Sequence, residues 1–466
     1  MTAQATGPAR PERISLLKVL GPIHVWALGV GIVLVGEFMG WNYAVGKGGA
    51  WGALIACWVI GLLYTCVAMI DSEITSTGAA AGGQYAQAKH TTGPLMAFNV
   101  GLYLVMAYTM LEAGDVLVAG QLIQIGAAEL GATDVAFEPF TVLSLAILAW
   151  LNYRGVFMTL TVNFVITAAA FVSILILFIG VQPWNPGAIL QHQELLTDLP
   201  YGWLGVIAAL HFGIWYYLGI EGTCQAAEEV RSPGRSLPLG TMTGMITLLI
   251  AAALTWYIAV GMLPWEYLGW DLTLAPLYDS ARVTGSTSLQ VILFVGTIFS
   301  AIASANGCIN DAARAWFSMG RDRYLPTWFG AVHPRYRTPY RSILFLIPIA
   351  TAFALKVPLA QVITFSILSG LLGYTFMPIN VWKFRNKWPL GSIRRGYEHP
   401  FHPLPAIVLM TLCIATYFAV YLGYGRQLLA MMAFYIVASL WFTVHRYKYV
   451  RRGDQFTMPW PKPLGY

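Results

Sequence analysis

The chain has 466 residues, of which 57% are hydrophobic and 10% charged, against about 25% charged in an ordinary soluble domain. That balance excludes a water-soluble globule, and apolar stretches of membrane-spanning length recur from residue 22 almost to the C-terminus, leaving no interval for a separate soluble domain. The net charge of +6 suggests a nucleic-acid partner only until the basic residues are located, because they lie between the apolar segments and not on one face.

Breaking the sequence at each polar interval gives twelve apolar segments, near 22–46, 50–70, 93–126, 136–153, 158–182, 203–224, 240–263, 287–313, 341–356, 359–382, 404–424 and 427–447. The first is too long for a signal peptide and lacks a small-residue cleavage pattern, so it reads as a retained helix. On this assignment 23 of the 27 Lys and Arg residues fall in the N-tail, the even-to-odd loops and the C-tail, leaving Lys47, Arg282, Lys356 and Arg426 on the other side. The positive-inside bias therefore places both termini in the cytoplasm of a cytoplasmic (inner) membrane protein. The opposite loops are acidic, with Glu129, Glu138, Glu194, Asp198, Glu266 and Asp271.

Segment 1 carries Gly36-Glu37-Phe38-Met39-Gly40 near mid-membrane. Glycines bracketing an ionisable residue predict a discontinuous helix around a buried or watery cavity. Segment 3 carries Glu112 and Asp115, three residues apart and so on one helical face. A mid-membrane carboxylate costs roughly 2.5 to 3.5 kcal/mol even on the lenient insertion scale, so the pair faces the interior or water. Segment 5 holds no lysine between Thr159 and Gly180. Segment 6 is the counterpart of segment 1, with Trp215-Tyr216-Tyr217-Leu218-Gly219-Ile220-Glu221-Gly222. Two interrupted helices, one opening each half, are the trace of an inverted repeat. Segment 8 offers Thr297, Ser300 and Ser304, possible sodium ligands that suit helix-helix hydrogen bonds equally well.

The catalytic and cofactor motifs are missing: no phosphate-cradling loop ending in Lys-Ser or Lys-Thr, no His-Glu-x-x-His and no Gly-x-Ser-x-Gly. The five cysteines are scattered without metal-ligand spacing and read as small core hydrophobes. The expectation is a secondary transporter with neither cofactor nor metal, in contact with membrane lipids.

Several stretches carry a specific resemblance: Gly36-Glu-Phe-Met-Gly-Trp-Asn, Ser72-Glu73 with Ala81-Gly-Gly-Gln-Tyr85, Asn152-Tyr-Arg-Gly155, and Gly219-Ile-Glu-Gly running to Ala227-Glu-Glu-Val-Arg-Ser-Pro233. With Arg321-Asp-Arg-Tyr-Leu-Pro326 and His333-Pro-Arg-Tyr-Arg-Thr-Pro339, they resemble the amino acid, polyamine and organocation transporter superfamily, and the segment 1 motif is most similar to bacterial ethanolamine permeases. The resemblance implies a leucine-transporter-type all-α membrane fold with twelve transmembrane helices in a 5+5 inverted repeat. Its parts would be an N-tail over 1–21, repeats over 22–200 and 201–400, peripheral helices over 401–447 and a C-tail over 448–466. It also implies alternating access around a central site at the two breaks.

At that site Gly36, Glu37, Phe38, Gly40, Trp215, Tyr216, Glu112 and Asp115 are the expected substrate-binding residues. Glu37 repels a substrate carboxylate and attracts an ammonium, which favours a small primary amine or amino alcohol, ethanolamine-like, over an α-amino acid; at an effective dielectric constant near 20 the contact is on the order of several kcal/mol before desolvation. A pure cap on the second half of helix 1 is the competing role for Glu37. The Glu112 and Asp115 pair departs from the ethanolamine permease pattern and suits a larger amine or a diamine. Trp215 matches an aromatic gate, where cation-π attraction contributes about 0.5 to 2 kcal/mol, while Tyr217 reads as packing. Glu221 organises the break or relays a proton, and His211 either senses pH or sits satisfied in the core. Proton coupling or exchange is the expected driving force, with sodium as its rival. An amino-acid permease of the same fold and a non-transporting nutrient receptor are the rival functions.

Overall fold

The computed structural model describes residues 16–132, 134–181, 199–270 and 273–450. The outer tails and Glu194, Asp198 and Asp271 lie outside the described residues. Among the described residues the molecule is helical, the only β-pairing being an isolated bridge between Leu20 and Val230.

The first half comprises α1 (Pro22–Met39), α2 (Trp41–Thr77), α3 (Gln84–Thr91), α4 (Pro94–Glu129), α5 (Glu138–Arg154) and α6 (Val156–Gly180). The second comprises α7 (Gly202–Gly213), a run of 3-10 turns to Glu229, α8 (Pro233–Met262), α9 (Trp265–Trp270), α10 (Pro276–Val283) and α11 (Thr287–Arg321). Then follow α12 (Tyr340–Lys356), α13 (Leu359–Lys387) and α14 (Leu404–His445). Nine stretches among the described residues are long and apolar enough to cross a bilayer, so this is a multi-pass membrane protein. Two of them carry a break in the helical backbone. α2 is turned at Gly49, whose φ of 71° is open to glycine at no steric cost, so its first two turns continue the span begun by α1. α14 is interrupted at Tyr424, separating predicted segments 11 and 12.

Bilayer and protein exchange the usual roles of surface and core. Large apolar side chains such as Leu62, Ile147, Val165, Ile414 and Val437 point outward, where lipid is their solvent. The interior is where the ionisable groups sit. At the basic end the charges are paired: Lys89 with Asp322, Arg314 with Glu229, Arg321 with Glu228, and Arg385, Arg395 and His399 all with Glu73. Glu73 is fully buried at the end of α2, and those partners tie it to the end of α13 and the loop beyond. Deeper in the bundle, Glu37, Asp71, Glu112, Asp115, Glu221 and Asp311 are buried without an ion-pair partner among the described residues.

Helix 1 differs from expectation. The interval from Gly36 to Met39 is not unwound: α1 continues to Met39, α2 starts at Trp41, and Gly40 N–H still donates to Gly36 O at 2.8 Å. The two glycines serve close approach. A Cβ at Gly36 would lie 2.2 Å from the Trp215 carbonyl oxygen, and one at Gly40 2.9 Å from the Tyr216 ring. Four residues apart, they form a flat strip on one helix face against which the backbone of the second break lies.

That second break is a true interruption. α7 ends at Gly213, and the chain continues through 3-10 turns at Ile214–Tyr216, Ile220–Cys224 and Ala227–Glu229. Gly219 adopts φ 117°, a conformation a side chain would strain.

Candidate functional site

The interrupted segment meets helix 1 through its aromatic residues. The Tyr216 ring stacks on Trp41 with centroids 4.2 Å apart, and its hydroxyl donates to Gly40 O at 3.1 Å. Trp215 packs beside Gly36 and 5.9 Å from the Tyr43 ring. Its indole N–H is buried without an acceptor, a costly state that a hydrogen-bonding partner relieves. Tyr217 is also fully buried, its hydroxyl 3.2 Å from Cys57 Sγ. It faces the protein core.

Glu37 is fully buried and does not face lipid. Its Oε2 accepts from the Thr255 hydroxyl of α8 at 2.9 Å, and Thr255 Oγ1 in turn accepts from Trp41 Nε1–H at 3.0 Å. Oε1 has no partner. The capping role is not what is seen: among the described residues Glu37 accepts from the Thr255 hydroxyl and from no N–H at the start of α2. The carboxyl group is instead aimed across to α8 and oriented by two hydrogen bonds in series. An ionised carboxylate so placed needs a counter-charge, because burying it alone costs several kcal/mol.

Glu221 holds the second break together. It accepts from Gly219 N–H at 3.1 Å, from Tyr374 Oη–H at 2.6 Å and from Tyr108 Oη–H at 3.3 Å. Those donors come from the break itself, α13 and α4, so one carboxyl group fixes an irregular backbone to two regular helices.

Glu112 and Asp115 form a separate group on another side of helix 1. Asp115 Oδ2 accepts from the Ser304 hydroxyl of α11 at 2.5 Å, and Ser304 also reaches Ile32 O of α1 at 2.6 Å. Both oxygens of Glu112 are buried without partners among the described residues. The expected substrate set thus divides: Gly36, Glu37, Gly40, Trp215 and Tyr216 come together, while Glu112 and Asp115 meet Ser304. Phe38 is buried and points toward Gly296 of α11.

Thr297 and Ser300 return their hydroxyls to Leu293 O and Thr297 O of their own helix, so Ser304 is the member of that trio that reaches helix 1. His211 is buried against Phe212 and Tyr424, with Nε2 3.3 Å from the Thr364 hydroxyl. It sits in an aromatic setting, away from the acidic groups.

Three features were missed in the sequence. Asp311 of α11 is fully buried, and a Cβ on Gly222 would fall 2.0 Å from its Oδ2; the mid-membrane acid rule applied to segment 3 finds it equally well. Asp71 is held by Gln84 and Gln87 at 2.8 and 2.7 Å, just past the predicted end of segment 2. Thr255 gives no signal, being one hydroxyl in an apolar span.

A helical membrane protein with one fully interrupted span, lined by buried carboxyl groups, is an arrangement that solute transporters use. A family model described as amino acid permease matches residues 18–461, and the chain belongs to that family. It is similar to an uncharacterised transporter of Rhizobium meliloti (strain 1021), 70% identical with 98% of each chain covered. It is also similar to two proteins of Bacillus subtilis (strain 168). One is the methylthioribose transporter, at 26% identity over 87% of this chain and 89% of the relative. The other is the branched-chain amino acid permease BcaP, at 24% over 85% and 87%.

Proposed function

We infer that the chain is a secondary carrier of the cytoplasmic membrane, termini inside, that moves an amino-group-bearing solute by alternating access between two inverted five-helix halves. One observation carries this reading: Glu37, fully buried where helix 1 meets the interrupted helix, keeps one carboxylate oxygen unpartnered and has no cationic side chain bonded to it among the described residues. An ammonium group supplies the missing charge and hydrogen-bond donor, in a charge-assisted bond of the stronger kind. The Trp215 and Tyr216 rings beside it suit the same cation.

An amino acid is the first reading of the cargo, supported by family membership and by the BcaP relative. A carboxylate-free amine such as ethanolamine is the second. It is favoured by the continuity of helix 1, whose Gly40 N–H is already bonded to Gly36 O and therefore not offered to a substrate carboxylate. Proton coupling fits a core whose deep carboxyl groups lack cations. Competition uptake in cells expressing the chain separates the cargo readings. Displacement of label by leucine or arginine supports the amino acid. Displacement by ethanolamine and short diamines alone supports the amine. Absence of counterflow for every member of the panel refutes transport and favours a receptor.

A further inference from the structure

We propose that Asp115 is the proton-binding site of the carrier and acts on helix 1 through Ser304. The inference rests on the proton-coupled reading above and adds the residue and the moving contact.

Ser304 Oγ stands 2.6 Å from Ile32 O and 2.5 Å from Asp115 Oδ2. A hydroxyl has one proton to donate, so it serves one acceptor at a time. With a proton on Asp115, the carboxylic acid donates to Ser304 Oγ and Ser304 donates to Ile32 O, forming a continuous chain from α4 through α11 to α1. When that proton leaves to water, the carboxylate accepts the Ser304 O–H in a charge-assisted hydrogen bond, and Ile32 O loses this second donor, keeping its bond within α1. One proton is bound or released, and no covalent bond other than that O–H changes.

Ile32 is well placed to transmit the change. A Cβ at Gly219 would lie 2.2 Å from its Cγ2, and one at Gly307 2.3 Å from its Cγ1. The helix 1 residue that gains or loses the bond is therefore wedged between the interrupted helix and α11.

Glu112 provides the independent sign that a positive ligand belongs here. It is buried, one helical turn from Asp115, and among the described residues neither of its oxygens has a partner, nor does Asp115 Oδ1. The titratable groups facing Asp115 are Glu112 on its own helix and Cys308 on α11, with Asp311 one turn beyond Cys308. The ionisable residues of α5 and α12 lie toward their ends, at Glu138, Tyr153 and Arg154 and at Tyr340, Arg341 and Lys356. On α13 the basic residues Lys383, Arg385 and Lys387 lie in the last two turns, and Tyr374 is bonded to Glu221. A proton is the ligand this setting lacks.

The test uses the full chain in proteoliposomes with labelled ethanolamine, arginine and leucine as probes, an imposed inward proton gradient, and counterflow measured in parallel. Wild type should accumulate at least one probe only with the gradient. Asp115→Asn, a permanent mimic of the protonated state, should lose that accumulation by about tenfold or more while retaining counterflow. Ser304→Ala should do the same with Asp115 intact, and it decides the matter should the first variant fail to fold. Glu37→Gln should instead lose counterflow. Gradient-driven accumulation at wild-type levels in either Asp115→Asn or Ser304→Ala overturns the assignment, as does loss of counterflow in a folded Asp115→Asn protein. Gradient-independent accumulation by wild type refutes the coupling reading itself.

Discussion

Replacing Gly36 by alanine tests the contact between helix 1 and the interrupted helix. The added methyl carbon would lie 2.2 Å from the Trp215 carbonyl oxygen and 2.8 Å from its carbon. Ordinary carbon-carbon contacts are about 3.5 to 4.0 Å, so the two backbones have to separate by roughly 1 Å. The atoms in conflict are main chain, and no side-chain rotation relieves the overlap. Overpacking of this kind costs about 1 to 3 kcal/mol. At about 1.4 kcal/mol per tenfold, the closed arrangement should lose roughly five- to a hundredfold in population relative to states in which the breaks are apart. Initial uptake rate at saturating solute is the readout, with thermal unfolding of purified protein as the check on folding. Gly423→Ala is the control, since nothing lies within 4 Å of its added Cβ and alanine is the better helix former. Uptake in Gly36→Ala equal to that in Gly423→Ala would refute the claim that helix 1 and the broken helix close on each other.

Glu37→Gln should weaken solute binding tenfold or more in equilibrium binding while leaving the melting temperature within a few degrees, because Thr255 can still donate to the amide oxygen; unchanged affinity from pH 5 to 8 contradicts the ammonium contact. Arg314→Met leaves Glu229 buried without its partner and should cost about 3 to 5 kcal/mol, seen as a large fall in melting temperature, whereas the double change Arg314→Met with Glu229→Gln should recover part of it. Burial beside Lys89 and Lys387 pushes His90 down to about 3. The unfolded chain takes up that proton near 6.5 and the folded one does not, so stability falls as pH drops below 6.5 and keeps falling toward 3. His90→Gln should flatten the melting-temperature loss between pH 7 and 5, and an unaltered slope contradicts this account of His90.

Legibility tracked the physical cause of each feature. The spans were readable because a bilayer imposes a length and a composition on every segment. The second break was readable because Gly219 and Glu221 interrupt an apolar run. The first was half readable: Gly36 and Gly40 do mark a special stretch, yet glycine admits both unwinding and close packing, and only the position of Trp215 on a distant segment decides between them. Acidic residues inside an apolar run were legible in the sequence, as with Glu37 and Glu112, and Asp311 follows from the same rule although it was passed over. Their partners were not, because Thr255, Ser304 and Ile32 O become partners through packing of helices far apart in sequence. The cargo is equally a matter of assembled geometry.

The most direct measurement is a structure of the carrier with its transported solute bound. The ammonium nitrogen should stand within about 4 Å of the Glu37 carboxylate, the ion-pair range, beside the Trp215 and Tyr216 rings. A solute whose nitrogen is held elsewhere, with Glu37 still bonded to Thr255 alone, would contradict the account.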